Sequence, residues 1–70
     1  MKWRKSAAVT ERAWLDQLGK QLVSRYSAPQ VREILEDYRE QFQAGTDRGK
    51  SEEEISRALG SPQEAAARLL

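Results

Sequence analysis

Seventy residues carry 12 Lys+Arg against 11 Asp+Glu, a net charge of +1, with no His and no Cys. One small domain near the limit of independent stability is all this length admits, without disulfides, Cys/His metal cages or the commonest acid–base and nucleophilic side chains. A 39% hydrophobic and 33% charged composition excludes a disordered chain, and no apolar run reaches the ~18 residues of a membrane span or forms a signal-peptide core.

The near-neutral total hides an asymmetry. Residues 1–25 hold six basic groups (Lys2, Arg4, Lys5, Arg12, Lys20, Arg25) against Glu11 and Asp16, whereas six basic groups face nine acidic ones from Tyr26 onward. Residues 1–12 read as a flexible basic N-terminal extension, because chain starts are usually solvated, and residues 13–70 as the helical domain. Trp3 lies on no apolar stripe.

The first helix spans about residues 10–24, with Thr10 as N-cap and Trp14, Leu15, Leu18, Leu22 and Val23 at helical spacing. Gly19 inside it either weakens the helix or admits a close neighbour. Ser27-Ala28-Pro29-Gln30 then has the grammar of a capping box with an early Pro. Val31, Ile34, Leu35, Tyr38 and Phe42 follow on one face, and Arg32, Glu33, Glu36, Asp37, Arg39 and Glu40 on the other. Ala44-Gly45, or a little beyond, ends this helix. Ser51-Glu52-Glu53-Glu54 is a second capping box, opening a short helix whose core-facing residues are Ile55, Ala58 and Leu59. Gly60 stops it, and Ser61-Pro62-Gln63-Glu64 opens a last helix with Ala65, Ala66, Leu69 and Leu70 as its apolar residues. The expected fold is all-α, a compact three- to four-helix bundle whose last two helices meet at a tight Gly-Ser-Pro corner. Its core is Trp14, Leu18, Leu22, Ile34, Leu35, Tyr38, Phe42, Ile55 and Leu59, and its caps are Ser27, Ser51, Gly60 and Ser61.

Motifs that suggest chemistry do not survive their context. Residues 44–51 read A-G-T-D-R-G-K-S, close to a phosphate-binding loop, but that loop needs a preceding strand and an α/β sheet. An amphipathic helix precedes it here, and the carboxylates after Ser51 repel phosphate, so Ser51 reads as a helix cap. Glu33, Glu36, Asp37 and Glu40 share a helix face without the His or facing Glu residues of bundle metal sites. Residues 51–70 have the outline of a helix-turn-helix, yet the second helix offers only Arg68 as a cation. No catalytic, cofactor or metal residues are assigned, and direct nucleic-acid binding is not expected.

Trp14-Leu15-x-x-Leu18, Ile34-Leu35-x-x-Tyr38-x-x-x-Phe42, Gly49-Lys50-Ser51-Glu52-Glu53-Glu54-Ile55 and Leu59-Gly60-Ser61-Pro62, in that order, resemble the bacterial HAAS domain over residues 13–70. The resemblance implies the cytosolic N-terminal part of a small bacterial membrane protein, often encoded beside a PadR-type repressor and acting as sensor or adaptor. It brings no catalytic residues. Family members often continue into transmembrane helices, so membrane attachment is expected only through segments beyond Leu70, on the cytosolic face of the inner membrane.

The functional expectation is a non-enzymatic protein-interaction or adaptor domain, the alternative being a DNA-associated regulator subunit. Its partner is a protein, by resemblance a PadR-type regulator, or a second copy of the chain. The candidate partner surface is Glu33, Asp37, Glu40, Lys50, Gln63, Arg68, Leu69 and Leu70.

Overall fold

A computed structural model describes residues 10–69, and every regular element among them is helical: α1 Glu11–Leu22, α2 Ala28–Asp47, α3 Glu52–Leu59 and α4 Pro62–Leu69. The caps lie where the polar punctuation places them. The Thr10 hydroxyl accepts the Ala13 N–H at 3.1 Å, and reciprocal capping boxes join Ser27 to Gln30 and Ser51 to Glu54. A third box opens α4, where the Glu64 N–H donates to Ser61 Oγ at 3.0 Å and the Ser61 N–H to the Glu64 carboxylate at 2.9 Å. Each box satisfies N-terminal donors that have no partner within the helix.

The expected N-terminal extension of residues 1–12 needs correction at its inner edge. Lys2, Trp3, Arg4 and Lys5 lie outside the described residues, but Thr10, Glu11 and Arg12 form the cap and first turn of α1. That turn is tied to α3, since the Glu11 backbone N–H donates to the Glu52 carboxylate.

Trp14, Leu15, Leu18, Leu22, Val31, Phe42, Ile55, Ala65 and Ala66 are buried in a core to which all four helices contribute, α1 touching each of the other three. Trp14 organises its centre. Its ring lies 5.1 Å from Tyr38 and edge-on at 5.6 Å from Phe42, and its indole N–H donates to the Gly60 carbonyl at 2.9 Å. A buried indole thus finds both apolar contact and a polar partner. Ile34, Leu35, Tyr38 and Leu59 pack against this core but stay half-buried. Ala58, expected to face inward, is exposed; Ser56 is buried instead, its hydroxyl satisfied by the Glu53 carbonyl at 2.8 Å.

Two glycines shape the C-terminal half. α2 runs two residues past Gly45 to Asp47, the end a little beyond Ala44-Gly45 that the sequence leads one to expect. A Cβ there would lie 2.5 Å from Ile55 Cδ1 and 2.6 Å from Cγ1, closer than side chains tolerate, so the missing side chain is what lets α3 seat on α2. Gly60 has φ +88° and ψ −176°. The extended ψ puts this positive-φ residue outside the left-handed helical region and in one that glycine alone occupies readily. This corner turns α3 into α4.

Candidate interaction surface

Glu33, Asp37 and Glu40 are exposed along one side of α2, about 200° around the helix from Leu35 for the middle residue. Among the described residues none of the three is in an ion pair. Lys50 is exposed in the linker after α2, and Gln63 in the first turn of α4.

Arg68 has a structural task. Its guanidinium donates to the Leu59 carbonyl at 2.8 Å, closing the C-terminus of α3, where cationic donors suit the unpaired carbonyls. Leu69 is 37% exposed and its carbonyl accepts the Tyr26 hydroxyl at 2.7 Å, while Leu70 lies outside the described residues. No polar contact among the described residues joins Glu33, Asp37 or Glu40 to Lys50, Gln63 or Arg68.

Glu54 and Glu64 are occupied by capping, while Glu52 accepts the Glu11 N–H and Glu53 pairs with Arg57 at 3.5 Å. Backbone N–H donation from Ser51, then its hydroxyl, holds the Glu54 carboxyl below its ordinary range, and Ser61 does the same for Glu64. The run resembling a phosphate loop is divided: Ala44–Asp47 is helical, Gly49 has φ +86°, and Ser51 caps α3. Among the described residues no three Asp or Glu side chains converge to hold a metal ion.

A different surface is more prominent. Beside the buried stripe of Trp14, Leu18 and Leu22, Leu15 and Val23 of the first helical hairpin border a shallow groove with Val31 and Leu35. Val23 sits at the end of α1 and is 66% exposed, more than any other large apolar side chain among the described residues. It shares the helical spacing of the α1 apolar residues without belonging to the expected core, and in the structure it forms the wall of this groove. Gly19 lies in the groove floor, with Leu35 Cδ1 3.5 Å from where its Cβ would be, an ordinary contact. The signal in the sequence was the width of the apolar faces. Leu15 and Val23 repeat the Trp14–Leu22 stripe one residue on, and Val31 and Leu35 broaden the Tyr38–Phe42 face; Leu15 and Val31 are buried where the two helices meet, and Val23 with part of Leu35 is left uncovered.

Residues 13–68, well over half the chain, match the model of the HAAS family. The chain belongs to the HAAS family. No curated protein and no solved structure matches it. In this HAAS domain the matched span begins in the first turn of α1 and ends in the last turn of α4, so it contains all four helices nearly whole, including the α1–α2 groove and the acidic side of α2. No helix among the described residues is long and apolar enough to cross a membrane.

Proposed function

We infer that this HAAS domain is a non-enzymatic protein-interaction module, the cytosolic adaptor part of a bacterial membrane-linked signalling protein. The observation that carries the reading is the open apolar groove between α1 and α2, with Val23 66% exposed at its wall. Exposed apolar surface of this kind, rimmed by charge, is typical of polypeptide contact sites. The acidic residues Glu33, Asp37 and Glu40 lie on another side of α2. They favour a second partner with a basic patch, chiefly by steering its approach rather than by adding much affinity. Two separate surfaces of different chemistry suit an adaptor. Family resemblance supplies the rest of the reading: membrane attachment through following segments, with a PadR-type regulator as the partner for the acidic side.

A Val23→Glu variant tests the reading, because the change places a charge in the groove wall without opening the core. Partner capture from the source organism and the molecular mass of the purified chain are compared with the wild type, with far-UV circular dichroism as the fold control. Loss of either association with the fold intact is the expected result. Unchanged capture and unchanged mass would refute an interaction role for the groove.

A further inference from the structure

We propose that the occupant of the α1–α2 groove is a second copy of the same chain, packed across a two-fold axis that runs along the groove. This deepens the interaction reading above and rests on it.

The charges on the two rims carry the proposal. On the α1 side Asp16 precedes Lys20, the two paired at 3.4 Å; on the α2 side Arg39 and Glu36 are paired at 3.8 Å. Because the helices are antiparallel, Asp16 and Arg39 border the same end of the groove, together with Leu15 and Leu35. Lys20 and Glu36 border the neighbouring stretch, each lining space shared with Val23, Val31 and Leu35. At matching levels one rim therefore reads acid then base, and the other base then acid.

A two-fold rotation about the groove's length exchanges the rims while keeping the levels. It sets Asp16 of one copy over Arg39 of the other, and Lys20 over Glu36, while the exposed Val23 and half-buried Leu35 of each copy, seated above the buried Leu15 and Val31, face the other copy's groove. Such an isologous contact requires a self-complementary surface, and this rim provides one. The same rim suits other occupants less well. With Arg32, and with Glu11, Arg12 and Glu52 beside the Asp16–Arg39 end, it holds four acidic and four basic groups, so neither a strongly acidic nor a strongly basic peptide finds a matching field.

The groove is short. α1 is about 18 Å long by its rise per residue, and two helices side by side are about 20 Å wide, so each copy contributes roughly 400 Å². The total falls below the ~1,200 Å² of stable complexes, which places the dimer in the weak, transient class.

Sedimentation equilibrium of the full 70-residue chain between roughly 20 µM and 1 mM tests this, the range being chosen for the weak class. The expected result is a reversible rise in mass toward the dimer, weakened at least tenfold by Val23→Glu. Lys20→Glu alone and Glu36→Lys alone should each weaken it severalfold, and combining them in one chain should restore it. Rescue of the mass by exchange within a single sequence, with monomer stability in urea alike for the single and double variants, is expected when the facing copy carries the same exchange. A chain that is monomeric throughout the range, a dimer indifferent to Val23→Glu, or single-charge variants that the exchange fails to rescue would each overturn the proposal. If the chain is monomeric but Val23→Glu abolishes capture of a different protein, the second copy is refuted and the interaction reading stands.

Discussion

Gly45→Ala isolates the close approach of α2 and α3. The methyl group it adds would sit 2.5 Å from Ile55 Cδ1 and 2.6 Å from Cγ1, with Ile55 Cβ farther off at 3.8 Å. Ile55 is buried, and its branched side chain has little rotamer freedom with which to escape. Overpacking of this kind costs about 1–3 kcal/mol. Against it stands the helix-propensity gain of about 1 kcal/mol on replacing an interior Gly by Ala. The expected net loss is about 0–2 kcal/mol, or a Tm lower by up to roughly 8–16 °C in a domain this small.

A double-mutant cycle separates the two terms. Ile55→Ala removes Cδ1 and Cγ1, leaving only the Cβ at an ordinary 3.8 Å, so Gly45→Ala in that background should stabilise by about 0.5–1 kcal/mol. Urea unfolding followed by circular dichroism, with the same concentration of a stabilising osmolyte for all four proteins, keeps the Ile55→Ala variants folded enough to measure. Gly19→Ala serves as the control: its Cβ would meet Leu35 Cδ1 at 3.5 Å, so propensity dominates and stability should rise. Gly45→Ala that stabilises equally in both backgrounds would refute the packing explanation.

Further outcomes follow from the core and the caps. Phe42→Ala, emptying a fully buried position against Trp14, should cost about 3–5 kcal/mol and leave the domain largely unfolded by circular dichroism at 25 °C. Gly60→Ala should cost about 1–3 kcal/mol in urea unfolding, since φ +88° with extended ψ strains any Cβ-bearing residue and the new methyl would meet Glu64 Oε1 at 3.1 Å. Glu54 and Glu64 have folded-state pKa values below their ordinary 4.5, so their contribution is present above that pH and is lost as the pH falls through the lower folded values. Acid titration should therefore lower Tm below about pH 4.5, and Glu54→Gln with Glu64→Gln should flatten that decline.

The helices were legible because their signals are local. Ser27, Ser51 and Ser61 each precede a Glu or Gln three residues on, and the structure closes all three boxes. Burial of Trp14, Leu18, Leu22, Phe42 and Ile55 follows from periodicity for the same reason. What periodicity cannot supply is the partner of each face. Gly45 marked the neighbourhood of the α2 end, but its packing role depends on Ile55, ten residues away and on another helix. Arg68 looked like a free surface cation, yet its guanidinium reaches the Leu59 carbonyl across the α3–α4 corner. Val23 keeps the spacing of the α1 apolar residues, yet it caps the end of the helix and is exposed, which spacing alone does not reveal.

The exposed groove and the marginal stability of a short domain are linked. A 70-residue chain without disulfides depends on packing, and apolar surface around Val23 and Leu35 remains uncovered. Anything that covers the groove in the folded state, and does not bind the unfolded chain, adds stability by mass action. At a free concentration ten times the dissociation constant the gain is about 1.4 kcal/mol, which in a domain of this size corresponds to roughly 6–11 °C in Tm. Self-association therefore predicts a Tm that rises with protein concentration across the range in which the dimer forms. Val23→Glu should remove the concentration dependence while leaving the low-concentration Tm nearly unchanged, because Val23 is exposed in the monomer. Differential scanning calorimetry at graded concentrations reads both quantities at once. A Tm independent of concentration would show that the uncovered surface is not stabilised by a second copy, whereas a slope that persists in Val23→Glu would place the self-contact elsewhere on the domain.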